Sequence, residues 1–165
     1  MKHLRKYGKP PFSIAVIHGG PGAAGEMGPV ARELKSNWGV LEPFQTEDSI
    51  NEQVQELKTV LEENGYPPLI LIGFSWGAWL SFIFAANYPA FVRKLILVGS
   101  GPFEEKYAVG IQKTRLDRLS QKDRTEAESL IRVLNDQAAK DKSKVFSRLG
   151  ELFSRADAYD PVTQE

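Results

Sequence analysis

Short β-branched runs alternate with stretches of helical periodicity through residue 102, and beyond it only the helical period continues. The first run, Ser13-Ile14-Ala15-Val16-Ile17, ends in His18-Gly19-Gly20-Pro21-Gly22, which predicts a buried strand followed by a tight loop. Met27, Val30, Ala31 and Leu34 recur at helical spacing and predict a short amphipathic helix that stops near Asn37. Gly39 to Phe44 reads as a second, weaker strand with Pro43 at its end. Ser49-Ile50-Asn51-Glu52 has the form of a capping box. The helix it opens carries Ile50, Val54, Leu57, Val60 and Leu61 on one face and closes at Asn64-Gly65. Leu69 to Ile72 is the third strand, and Leu95 to Val98, running into Gly99-Ser100-Gly101-Pro102, is the fourth. Between them, Trp76 to Ala86 is apolar almost all round, which predicts a helix buried between the sheet and other elements. Strands alternating with helices predict an α/β fold: a mainly parallel four-stranded sheet with helices on both faces.

After Pro102 charges become dense and strand-like runs stop. Asp123-Arg124-Thr125-Glu126 resembles a helix start ahead of Leu130, Ile131 and Leu134. Val145, Phe146, Leu149, Leu152 and Phe153 mark another amphipathic helix. The chain therefore divides into an α/β core over 1–102 and a C-terminal helical cap region over 103–165. The polar tail from Ala156 to Glu165 is broken at Pro161.

Composition narrows the function classes. A chain of 165 residues is long enough for one domain with a single core. With 21 basic and 21 acidic side chains the formal net charge is zero, which argues against nucleic acid and anionic membranes as partners. The absence of cysteine excludes disulfides and thiolate metal sites, and two histidines are too few for an ordinary zinc site, so no metal or cofactor is expected. The basic start, Met1 to Lys6, lacks the apolar core of a signal peptide. The longest apolar stretch, Ala78 to Ala86, is too short to span a bilayer. The expected location is cytoplasmic.

The candidate chemistry lies in Gly73-Phe74-Ser75-Trp76-Gly77, a Gly-x-Ser-x-Gly nucleophile elbow set between a strand and a helix, as its geometry requires. Gly73 and Gly77 leave room for a sharp turn that holds Ser75 at the strand's end. The His18–Gly22 loop lies at the carboxyl end of another buried strand, where open α/β sheets place their sites. It offers backbone N–H groups that no side chain blocks. Acyl transfer needs two such donors for the developing oxyanion, and loss of one raises the barrier by roughly 3–4 kcal/mol. The N–H of Trp76 is the first candidate, and that of Gly20 or Gly19 the second.

With these two motifs in this order, the chain resembles the α/β-hydrolase superfamily, and most closely the proline iminopeptidase-like branch, which pairs an HGGPG loop with a GxSWG elbow. The likeness runs from about Ser13 to Phe103 and more loosely to Pro161. It implies Ser75 as nucleophile, an oxyanion hole from Trp76 and Gly19 or Gly20, and a structural role for His18. It further implies strand order 4-3-5-6 in that family's labels, with the Ser13–Ile17 strand interior. Three features depart from the family. Only 12 residues precede the first strand, so the opening antiparallel hairpin is missing or very short. Phe74 stands where the iminopeptidases usually carry glycine. The chain also stops before the strands that bring the catalytic acid and histidine.

The histidine question separates the readings. The motif's triad order places its base downstream of the serine, whereas this chain has only His3 and His18. His18 begins the oxyanion loop, where bonding to backbone is the simpler role than base. The acids Asp117, Asp123, Asp136, Asp141, Asp157 and Asp160 read as helix faces, caps and tail. Glu104 and Glu105 read as helix N-terminal charges or, as in some α/β hydrolases, the place of the triad acid. Trp76, Trp79 and Phe82 read as core packing; Phe146 and Phe153 face the core by spacing, although a cap's inner face often lines an acyl pocket. Two functions remain. One is a serine hydrolase for an ester or amide of a small substrate, incomplete alone because its histidine and acid are missing. The other is a non-catalytic hydrolase-like domain that binds a ligand or protein through its cap and open sheet edge. In either case the Leu95–Val98 strand is expected at the edge of the sheet. Its cover would be the cap, a second copy in an isologous dimer, or a complementary C-terminal chain.

Overall fold

Ile14, Ala15, Val16 and Ile17 are all buried, on both faces of their strand, which only a position inside a covered sheet allows. The computed structural model describes residues 3–20, 23–136 and 142–158. Pro21 and Gly22 of the glycine loop, Asp141, Asp160 and Pro161 lie outside them. The described chain runs β1 (Leu4–Tyr7), β2 (Phe12–Ile17), α1 (Gly28–Leu34), β3 (Gly39–Pro43), α2 (Ile50–Asn64), β4 (Leu69–Phe74), α3 (Trp76–Asn87), β5 (Val92–Val98), α4 (Ile111–Arg118), α5 (Gln121–Asn135) and α6 (Ser143–Asp157). Two compact units divide it, residues 1–101 and 102–165.

In the first unit the sheet order is β1-β3-β2-β4-β5. β3, β2, β4 and β5 are parallel, with Ile14 opposite Val40 and Ile70, and Ile72 opposite Ile96. This is the order implied by the resemblance, with β2 interior, but the sheet has five strands rather than four. The extra strand, β1, runs antiparallel to β3, from Leu4 opposite Pro43 to Tyr7 opposite Val40. Its four residues alternate once, with Arg5 and Lys6 exposed between half-buried Leu4 and Tyr7, too short a pattern to read as a strand. The pairing is reinforced by the Tyr7 hydroxyl, which donates to the buried Glu42 carboxylate at 2.6 Å. Burial first, and then the Glu42 carboxylate, raises the Tyr7 pKa above its ordinary value.

The helices of this unit cover the sheet through one face each. α2 starts where Ser49 Oγ accepts the Glu52 N–H at 3.3 Å, and buries Gln53, Val54, Leu57 and Leu61. Ile50, expected on that face, is exposed. In α1, Met27 and Ala31 are buried while Val30 is exposed, and the helix ends at Leu34, short of Asn37. α3 is not buried all round: Gly77, Ala78, Leu80, Ser81 and Phe84 face the core, while Phe82 is exposed. Trp76, Trp79 and Phe82 follow one another at three-residue spacing on the other side, so they do not form the core packing expected of them.

In the second unit, α5 starts at Gln121, with Ser120 Oγ accepting the Asp123 N–H at 3.1 Å. Its core is Ala127, Leu149 and Leu152, packed by Leu116, Leu130, Ile131 and Phe153. Phe146, expected to face inward, is 69% exposed. It lies one turn before Leu149 and Gly150, at the margin of the stripe that carries Leu149 and Leu152, where the side chain meets solvent. Among the described residues no strand follows Val98, and no helix is long and apolar enough to cross a membrane.

Candidate active site

β4 is held on both sides, Gly73 lying opposite Ile17 of β2 and Leu97 of β5, so the residue after Phe74 emerges from the middle of a fixed sheet. That residue, Ser75, has φ +52° and ψ −116°, and it is the one non-glycine residue with positive φ among those described. A side chain held there is strained by about 1–3 kcal/mol. The surroundings enforce it: the Ser75 N–H donates to the Val98 carbonyl at 2.9 Å, while the next residue opens α3. The strain places the hydroxyl-bearing carbon at the helix N-terminus, where the macrodipole favours negative charge.

Close approach explains both glycines of the turn. A Cβ on Gly73 would lie 2.3 Å from the Gly77 carbonyl oxygen and 2.6 Å from Ala78 Cα. A Cβ on Gly77 would lie 2.3 Å from the Ile17 carbonyl oxygen and 2.5 Å from that of His18. The first turn of α3 therefore presses on the end of β2 and brings Ser75 beside the His18–Gly20 segment. A Cβ on Gly19 would meet Ser75 Cβ at 3.2 Å.

His18 sits in this contact fully buried, with both ring nitrogens engaged. The Gln45 backbone N–H donates to Nε2 at 3.2 Å, which makes Nε2 the acceptor and leaves the ring proton on Nδ1, 2.6 Å from the Gly19 carbonyl. The Gln45 side-chain amide returns a bond to the His18 carbonyl at 3.0 Å. In this arrangement neither nitrogen is free to take a proton from Ser75. His3 is on β1's side of the sheet, 3.9 Å from Glu56.

The two loop amides differ. The Gly19 N–H donates to Glu26 Oε2 at 3.0 Å, so it is already occupied. Gly20 has φ +138°, and its N–H meets no acceptor among the described residues. Glu26, Gln45 and Gln53 escaped the sequence reading. Gln53, buried on α2, accepts the Trp76 indole N–H at 3.0 Å and donates to the Glu47 carbonyl at 2.7 Å. Nothing in spacing or periodicity marks such residues, because their partners are backbone groups or side chains far along the chain. Glu104 and Glu105 are exposed in the second unit, Glu104 pairing with Lys106 at 2.7 Å.

An open cleft of about 310 Å³ adjoins the serine, lined by Ser75, Trp76, Trp79 and Gly101. A larger one of about 820 Å³, between Gly8–Pro11 and Lys35–Gly39, lies at the amino ends of β2 and β3. Parallel sheets place their chemistry at the carboxyl ends, so the smaller cleft is the relevant one. Among the described residues no group of three or more metal-ligating side chains comes together.

A sharp strand–serine–helix turn on a parallel sheet, with a glycine loop beside it, is the arrangement of α/β hydrolases. A family model described as the alpha/beta hydrolase fold matches residues 42–159, and the chain belongs to that family. Epoxide hydrolase 4 of Mus musculus is 33% identical over 45 residues, which are 27% of this chain and 12% of that protein. Among solved structures, VinJ superposes with a TM-score of 0.69 at 18% identity, over 93% of this chain and 55% of its own. The Bacillus megaterium epoxide hydrolase in complex with an inhibitor gives 0.60 at 17% identity, over 93% and 57%. The chain thus spans a little over half the length of these structures. The proline iminopeptidase branch is not among the relatives just named.

Proposed function

We propose that Ser75 is the nucleophile of a serine hydrolase acting on an ester or amide of a small substrate. Its strained backbone at φ +52° carries this reading, since strain held by surrounding structure marks sites of function. Ser75 Oγ attacks the carbonyl carbon and gives its proton to a base. The bond to the leaving group breaks as that group takes the proton, and water then hydrolyses the acyl-serine. The Trp76 N–H and the Gly20 N–H hold the oxyanion. Gly19, whose N–H is taken by Glu26, shapes the loop instead. The HGGPG and GxSWG pairing supports the iminopeptidase-like branch as the finer placement.

The base and the acid come from polypeptide outside these residues. His18 is engaged on both nitrogens, and the outer edge of β5 has no paired strand among the described residues. A complementing segment that adds a strand to β5 and carries an aspartate and a histidine completes the site. The engaged His18 also favours a second reading, a hydrolase-like domain that binds without turnover.

Intact-mass analysis after fluorophosphonate treatment separates the two. The chain with its complementing segment is expected to gain one adduct, which Ser75→Ala abolishes, while the chain alone gains none. An adduct that survives Ser75→Ala, or no adduct in the folded, complemented protein, overturns the catalytic reading.

A further inference from the structure

The cleft beside Ser75 has an unusual lining for its size. Two of its four residues are tryptophans, on consecutive turns of α3, with ring centroids 6.3 Å apart and planes inclined by 31°. Both indole N–H groups are already committed: Trp76 donates to Gln53 at 3.0 Å and Trp79 to the Gly101 carbonyl, itself at the cleft, at 3.1 Å. Each ring is thereby held in place and has no N–H left for a ligand. The two inclined rings are half-buried, and no lining residue carries a charge. A volume of about 310 Å³ is at the lower end for ligand pockets and suits one ring-sized group.

Resting on the reading of Ser75 as nucleophile, we propose that this cleft takes a planar, uncharged aromatic group next to the reacting carbonyl, so that the substrates are neutral aryl or arylalkyl esters and amides. Rigid ring faces favour offset stacking over contact with a flexible alkyl chain, because the aromatic partner loses little rotamer freedom on binding. A charged group would enter against an apolar lining with no opposite charge to meet it. Cation–π attraction alone would act here without the enclosing cage that makes it strong. Substrates recognised through a free amine are accordingly disfavoured at this cleft, so the motif likeness to the iminopeptidase-like branch does not extend to its substrates.

The chain's three tryptophans make the test internal. Trp38 lines the distant cleft at the amino ends of the strands and serves as the control. In the ¹⁵N-labelled Ser75→Ala chain, which cannot be acylated there, ethyl benzoate is expected to shift the Trp76 and Trp79 indole resonances saturably and to leave Trp38 in place. Its affinity should exceed that of ethyl butanoate and of benzylammonium by roughly tenfold. Trp79→Leu, followed on the Trp76 resonance, should weaken it by about as much, whereas Trp79→Phe keeps most of it. Equal binding of ethyl butanoate, tighter binding of benzylammonium, parallel movement of Trp38, or no saturable shift overturns the proposal. Phosphonate labelling reads Ser75 separately. Labelling without aromatic binding removes the cleft's specificity alone, and aromatic binding without labelling removes the nucleophile but leaves a ligand site.

Discussion

Gly19 is constrained from two directions at once, its N–H held by Glu26 and its α-carbon against Ser75. Glu26 therefore positions the loop next to the serine without belonging to the motif that announces it. Glu26→Ala should speed exchange of the Gly19 amide proton and slow phosphonylation of the complemented protein by roughly tenfold, about the value of one charge-assisted hydrogen bond. Glu26→Gln, whose amide oxygen still accepts, should restore most of both; equal loss in the two variants would mean that only the charge matters. Gly77→Ala tests packing instead, since its Cβ would meet the backbone carbonyl oxygens of Ile17, at the end of β2, and His18, just after it, which cannot yield cheaply. A loss of about 1–3 kcal/mol or more in urea unfolding is expected, and an unchanged midpoint would contradict the close approach. Ser75, Gly73 and Gly77 were legible in the sequence because they fall within one five-residue motif, although what Gly77 leaves room for is the end of β2, far along the chain. Glu26, Gln45 and Gln53 were not, because what they hold is a backbone group or a side chain brought near only by folding.

The elements differ in how far their pattern could be read. β2 and β4 declare themselves by β-branched runs, and α2 by its cap and stripe, whereas β1 depends on backbone pairing with β3 rather than on its own side chains. β3 read as weak yet is buried throughout, its Glu42 carboxylate taken up by Tyr7. α3 misled in the opposite sense: uniform apolarity predicted uniform burial, but the helix has a core side and a side bearing Trp76, Trp79 and Phe82. In the helical unit, α5 and α6 are joined by Arg148, which donates to both carboxylate oxygens of Glu126 at 2.7 and 3.1 Å. That bond, opposed by some desolvation, holds the Glu126 carboxyl below the ordinary glutamate value of 4.5, and the Arg148 pKa is raised in turn, first by Glu126. A depressed folded value means the bridge stabilises the folded unit above the unfolded value, and the contribution is lost as pH falls through the folded one. Acid titration of helicity should thus show a step below pH 4.5 that Glu126→Gln flattens. A step of the same size in Glu126→Gln would assign it to other carboxylates.

At the scale of the whole molecule, the two edges of the sheet are unlike. On one side β1 closes the sheet with a short antiparallel strand exposing Arg5 and Lys6, charges of the kind that discourage further pairing. On the other, β5 is seven residues long, parallel to its neighbour, and leaves Ile96, Leu97 and Val98 exposed by 38%, 38% and 43%. Among the described residues no strand pairs with its outer backbone groups, and an unpaired strand edge beside apolar side chains is a template for another strand. Without the complementing segment, a second copy is the partner at hand. An antiparallel β5 pair centred on Ile96 sets Leu95 against Leu97 and puts Arg93 and Lys94 opposite Gly99 and Val98, so no like charges meet. The isolated chain should accordingly associate with rising concentration in sedimentation velocity. Leu97→Lys should weaken that association by roughly tenfold, because each copy then sets a charge against an apolar partner. Val30→Lys, a change at an equally exposed apolar position on α1, should not. If the two variants behave alike, association is general stickiness rather than strand pairing. If the chain stays monomeric throughout, β5 is not an open edge in solution, and the segment proposed to carry the histidine must join the fold elsewhere.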